Sequence, residues 1–245
     1  MENIEKICTY NGVDIIHIFE PAKTLSKDPE LKKKVLSECE RVQLEVWDPM
    51  MSIEDNTINN DGLVLLMKDD HSVGFISYQI KKYDDKYVMY FHDLMISKKY
   101  QGKGLYRIAL LSSILTIAEK YDTVHFTGMT ITYNARVIKS LYFKPHIFRN
   151  ISFPRLNVEH RYLVKKMGAD FFDEKNLHLD KGIIKGMWKP SRRNGQHLVD
   201  YSELSDLFGP GLSPETGDSL VLLFDIDAES VRYIRNFLNE RVVRN

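Results

Sequence analysis

From Tyr87 to Tyr121 the chain reads YVMYFHDLMISKKYQGKGLYRIALLSSILTIAEKY. Tyr87 to Ile96 is a strand-like run, Ser97 to Gly104 a loop, and the remainder a long helical pattern. Gly102 and Gly104 let the backbone turn tightly and leave amides uncovered by side chains. A helix beginning near Leu105 adds its unpaired N–H groups and the positive end of its dipole. The junction is therefore a seat for phosphate. Two known phosphate loops do not fit it. A P-loop has Gly-Lys-Ser/Thr at its end, and Gly104 is followed by Leu105 and Tyr106; the dinucleotide fingerprint needs a third glycine where Arg107 stands.

What remains, Gln101-x-x-Gly104, resembles the acyl-CoA pyrophosphate loop of the GNAT N-acetyltransferase superfamily, with Tyr106 where the family usually has a small residue. The flanks extend the likeness. His92-Asp93-Leu94-Met95-Ile96 resembles the end of the family's fourth strand, and Asn134 to Tyr142 resembles the start of the helix after its fifth. The resemblance covers roughly residues 60–145. It implies an α/β fold with a mixed, mainly antiparallel sheet flanked by helices, a catalytic core over residues 1–145, and a C-terminal elaboration over 146–245 packed on the same domain.

The resemblance also implies a chemistry: transfer of an acetyl or other acyl group from CoA to an amine by direct attack. Acetyl-CoA or another acyl-CoA is then the co-substrate, seated by Gln101, Gly102, Lys103, Gly104, Leu105 and Tyr106, with Asn134 on the pantetheine arm. In the family the fourth strand bulges beside the cofactor, so a backbone N–H of Met95 or Ile96 is expected to reach the thioester oxygen. His92 and Asp93 stand where relatives place a base. Neighbouring strand residues face opposite sides, so one of the two points into the cleft, and His92, which titrates near neutrality unaided, is favoured. Tyr142 is the expected proton donor to the departing thiolate; its spacing of eight from Asn134, against the usual seven, leaves the register open by one residue. Two other readings stand beside this one: a synthase that takes long acyl chains from a carrier protein, as autoinducer synthases do, and a non-catalytic acyl-CoA-binding module.

Composition narrows the partners. In 245 residues, 34 basic side chains balance 34 acidic ones, so no global charge favours nucleic acid or an anionic membrane. A small-molecule or peptide amine is the expected acceptor, and a homodimer is left open. Cys8 and Cys39 are the only cysteines, which argues for a reducing, cytoplasmic setting and against a disulfide framework or a cysteine metal site. The histidines show no ligand spacing, so no metal is expected. No run is long and apolar enough to span a membrane, and no signal-like segment opens the chain.

Elsewhere, Asn11-Gly12 between two β-prone runs predicts a hairpin. Asp28-Pro29-Glu30 predicts a helix start, with Leu31, Val35, Cys39, Val42 and Val46 on one face and Lys32 to Lys34 outward. Pro49 to Gly62 reads as a loop or a short helix, the region that commonly lines the family's acceptor site. Leu63 to Lys68 and Val73 to Ile80 read as strands. Thr123 to Thr127 reads as the fifth strand of the core, ended by Gly128, and its connection through a helix implies a parallel pair. Further on, His160 to Met167 predicts a short helix, Ser219 to Phe224 a buried strand, and Val231, Ile234, Phe237 and Leu238 a final helix capped by Asp225 or Asp227. The basic run from Lys181 to Arg193 reads as a solvated loop.

Overall fold

The computed structural model describes residues 3–46, 52–123, 125–132, 144, 146–152, 156–187 and 217–244. They fall into two compact units: Met1–Ile80 with Tyr90–Val124 and Val231–Asn245, and Lys81–Met89 with His125–Ser230. The fold is α/β, with largely antiparallel strands flanked by helices.

In the first unit, β1 (Ile4–Tyr10) and β2 (Val13–Phe19) pair antiparallel across Asn11 and Gly12, whose φ angles of 51° and 72° are the two left-handed positions that a tight hairpin turn needs. Asp69 and Asp70, at φ 49° and 65°, make the same kind of turn between β3 (Gly62–Lys68) and β4 (His71–Tyr83). β5 (Lys86–Ile96) follows, and β11 (Val243–Arg244) joins the outer edge of β1, giving the order β11-β1-β2-β3-β4-β5.

Strand alternation sends one set of side chains to each face. Ile18, Leu63, Leu65, Phe75 and Met95 meet Leu25 of α1 (Pro21–Leu25), Val35, Cys39 and Val42 of α2 (Pro29–Val46), and Ile53 and Ile58. Each such aliphatic side chain contributes roughly 1.5–3 kcal/mol on burial. α2 begins where expected: Asp28 Oδ1 accepts the Leu31 N–H at 3.0 Å, and Pro29 occupies the first turn. Residues of the acceptor region form a π-helical turn, Glu54–Ile58.

α3 (Leu105–Lys120) covers the other face. Its Ser112 lies 3.8 Å from Cys8, and its Lys120 ammonium sits 3.5 Å from the Phe19 ring centre. Its apolar side chains are buried all along its length, from Leu105 and Ile108 to Ile117 and Ala118.

In the second unit, β6 (Phe126–Thr132) pairs antiparallel with β10 (Ser219–Ile226) along their lengths; β7 (Arg149–Ser152) and β9 (Ile183–Ile184) also pair with β10, and β8 (Leu177–His178) pairs with β9. The strand expected over Thr123 to Thr127 is corrected here: it begins at Phe126 and runs through Gly128 to Thr132. Gly128 does not end it. A Cβ there would lie 2.2 Å from Cε2 of Phe224, the residue paired with it, so the glycine makes room for a ring in mid-strand.

α4 (Val158–Phe171) contains the helix expected at His160 to Met167. The last helix, α5 (Ala228–Arg241), is capped by Asp227, whose Oδ1 accepts the Ser230 N–H at 2.7 Å. Asp225 has a different task. It takes the fully buried His160 Nε2 at 3.2 Å and the hydroxyl of Thr127 at 3.0 Å, while His160 Nδ1 lies 2.5 Å from Ser152 Oγ. Of the basic run, Lys185 pairs with Asp218 at 2.5 Å; residues from Trp188 onward in that run lie outside the described ones.

Candidate active site

The strand β5 delivers the chain into the glycine loop at a fixed angle. The Ser97 N–H bonds to Val73 O at 2.9 Å, its hydroxyl reaches Glu45 of α2, and a single turn of 3₁₀-helix, Lys98–Tyr100, follows. Gln101 turns back and donates to Ile96 O at 2.9 Å, bracing the loop against the strand end. Gly102 and Gly104 then take φ angles of 75° and 78°, which an L side chain rarely adopts.

Gly104 caps α3 with no side-chain hydrogen bond, and the first bond of the helix runs from Ile108 N–H to Gly104 O at 3.2 Å. The amides of Leu105, Tyr106 and Arg107 therefore have no carbonyl one turn earlier to receive them, and they add to the positive end of the helix dipole. A Cβ on Gly104 would come within 3.3 Å of Tyr10 Oη, a tight contact in addition to the unfavourable φ.

Three lysines surround the same loop. The ammonium of Lys103 stands 4.9 Å from the Tyr100 ring centre, and those of Lys68 and Lys99 stand 5.9 Å from it. Leu105 is buried and anchors the helix start, while Tyr106 is half-buried, with burial pushing its phenol well above the ordinary value so that it stays protonated.

The two base candidates lie on opposite faces of β5. Asp93 shares the α2 face with Met95 and is only 7% exposed. Its Oδ2 accepts from Thr57 Oγ1 at 2.8 Å and Ser77 Oγ at 3.2 Å, and its N–H meets Ser77 Oγ at 3.2 Å. Its Oδ1 makes no hydrogen bond with a described residue. Burial raises the carboxyl above its usual range, and the Thr57 hydroxyl, His92 and Ser77 only partly counter it.

His92 is half-buried, with Ile96 on the same side of the strand, and its ring centre is 4.8 Å from that of Tyr90. Its Nδ1 is buried with no hydrogen-bond partner among the described residues, and burial holds the imidazole below 6.5 in spite of the nearby Asp93 charge. It is therefore neutral at pH 7.

Asn134 and Tyr142 lie outside the described residues. Among the described residues no group of three or more His, Cys, Asp and Glu side chains is placed to hold a metal ion, and no helix is long and apolar enough to cross a membrane. The sequence reading missed Thr57, Ser77, Asn60 and Gln79, which share the face of Asp93. No local signal marked them: Ser77 and Gln79 are polar residues in a strand that also carries His71, Ser72, Lys81 and Lys82.

A family model described as "Acetyltransferase (GNAT) family" matches residues 30–139. Over residues 30–139, somewhat under half of the chain, the sequence is thus similar to the GNAT acetyltransferases. The match starts at residue 30, so α2 from Glu30 onward and the π-helical turn fall inside the matched segment, further forward than the resemblance read from about residue 60. Among curated proteins none matches the chain.

Solved structures similar in fold include three acetyltransferases. One is an aminoglycoside acetyltransferase from an uncultured soil metagenomic sample, in complex with trehalose (16% identity, 54% of this chain and 85% of that one, TM-score 0.38). A second is a GNAT family acetyltransferase from Elizabethkingia anophelis with acetyl-CoA bound (14%, 76% and 87%, TM-score 0.37). The third is the ribosomal-protein-S18-alanine N-acetyltransferase from Escherichia coli (12%, 78% and 88%, TM-score 0.42).

Proposed function

We propose that this protein transfers an acetyl or other acyl group from CoA to an amine by direct attack. The observation that carries the reading is the loop at the head of α3: two left-handed glycines, an uncapped helix start and three lysines, within the segment that the family model matches. Pyrophosphate is what such a cluster of amides and cations holds. When bound, acyl-CoA supplies the thioester.

The amine nitrogen adds to the thioester carbonyl, the C–N bond forms, and the C–S bond breaks as the thiolate departs. Asp93, directly or through a water, takes the proton that the acceptor nitrogen loses as the neutral amine attacks; an Oδ1 with no hydrogen bond among the described residues and a pKa raised by burial suit a base. His92, neutral and on the opposite face, is the rival base. A backbone N–H of Met95 or Ile96 polarises the carbonyl, Asn134 holds the pantetheine arm, and Tyr142, protonated at neutral pH with an ordinary pKa of about 10, gives its proton to the thiolate.

The test has two parts. Melting curves with acetyl-CoA, free CoA and a long-chain acyl-CoA rank the donors, because a ligand that binds the native state alone raises the melting point. Release of free thiol with a panel of small amines and amino-terminal peptides then separates an enzyme from a binder. Acetyl-CoA is expected to stabilise the protein and to be turned over with at least one amine; stabilisation without turnover would leave a binding module. Tyr142→Phe is expected to lower turnover by about 10- to 10³-fold with CoA affinity unchanged, and full activity would assign thiolate protonation to another group.

A further inference from the structure

A chain of polar side chains runs from the base candidate into the wall beside it. Thr57 lies in the π-helical turn Glu54–Ile58, and π-helical turns are rare features that recur at functional sites. Its hydroxyl donates to Asp93 Oδ2 at 2.8 Å. Ser77 of β4 contacts the same oxygen at 3.2 Å, and Asn60 Nδ2 donates to Ser77 Oγ at 3.1 Å and to Asn56 O at 2.6 Å. Gln79 Nε2 completes the chain by donating to Asn60 Oδ1 at 2.8 Å. Thr57, Asn60 and Ser77 are buried, so the bonds among Thr57, Asp93, Ser77 and Asn60 are made away from bulk water, where an unmade partner is costly.

We propose that Thr57 and Ser77 are positioning residues, which occupy Asp93 Oδ2 so that Oδ1 alone is presented to the acceptor amine, and that Asn60 locks residues 52–60 to this carboxylate as the wall of the acceptor site. The inference rests on the acyltransferase reading above. Two hydroxyls on one oxygen fix the rotation of the carboxyl group, which one bond alone leaves free to flip. They also favour the ionised form against the burial that raises it, so the network sets the pH at which the base becomes available.

The titratable groups around Asp93 are few. On its own strand are His92, which favours the Asp93 charge only when the imidazole is protonated, and Tyr90, whose phenol is pushed up by burial and by that charge. Cys39 of α2 is pushed up in the same way. On the π-helical turn, Glu54 is paired with Lys32 on the solvent side. β4 contributes hydroxyl and amide groups, Ser77 and Gln79, which do not titrate.

The experiment compares the full chain with Thr57→Val and Thr57→Ser, reading the pH profile of kcat/KM and, separately, the titration midpoint of the Asp93 carboxyl carbon by ¹³C NMR. Thr57→Val removes the donor and keeps the shape. The carboxyl midpoint and the acid limb of the profile are both expected to rise by about one unit, with kcat falling more than KM changes, while Thr57→Ser restores the wild-type values. A purely structural threonine would lower the melting temperature and leave midpoint and limb where they were, and that result overturns the proposal. A midpoint that rises while the limb stays fixed overturns it too, since the network then holds a carboxylate that the reaction does not use. Absence of turnover in the wild type with every amine would count against the acyltransferase reading itself, and the midpoint alone would still report whether the hydroxyls hold the charge.

Discussion

At the scale of single residues, the base role proposed for Asp93 pulls against stability. A carboxyl raised by burial is most favourable to folding when protonated, so its contribution is full below its unfolded pKa and is lost as pH rises through the folded value. As pH rises past the unfolded value, the native state therefore bears the cost of a buried carboxyl that resists ionisation. Asp93→Asn should melt no lower than wild type at pH 7 while turnover falls by about 10²- to 10⁴-fold, the range for loss of a general base. A melting-temperature series beside steady-state kinetics checks both halves. His92→Ala should keep the acid limb of the pH profile, and a profile flattened in His92→Ala but intact in Asp93→Asn would hand the base role to the histidine.

At the scale of elements, what was legible in the sequence was whatever rests on local chemistry. Asn11-Gly12 and Asp28-Pro29 place a hairpin and a helix start because a left-handed turn and an N-cap depend on the residues present. The glycine loop was legible for the same reason. Gly128 was misread because a glycine that ends a strand and a glycine that admits a ring look alike until Phe224 is known to sit opposite. Thr57 and Ser77 were missed because they meet Asp93 only through the pairing of β4 with its neighbours and the placement of the π-helical turn, neither of which leaves a local mark. Two changes test these assignments by chemical denaturation. Gly128→Val should destabilise the second unit by about 3 kcal/mol or more, since the ring cannot move without opening the strand pair. Asp227→Ala should cost about 1 kcal/mol, the value of a helix cap, and a cost near zero would remove Asp227 from that role.

At the scale of the whole molecule, acid should act through the second unit's buried polar cluster. Burial opposes the charge on Asp225, but hydrogen bonds from His160 and Asn150 outweigh it and hold the carboxyl below 3.8. A lowered carboxyl stabilises the fold above its unfolded pKa, and that stability is lost as pH falls from about 4 through the folded value. The melting temperature should therefore drop in that window, and Asp225→Asn should flatten the drop while lowering stability at neutral pH. The central claim, that the glycine loop seats the phosphates of acyl-CoA, has a more direct test: calorimetric titration of acetyl-CoA into the wild type and into Gly104→Val, with folding of both verified by circular dichroism. Wild type should bind and the folded variant should not, because a β-branched side chain at φ 78° meets Tyr10 and blocks approach to the amides of the α3 start. Equal affinity in a folded Gly104→Val would contradict the account.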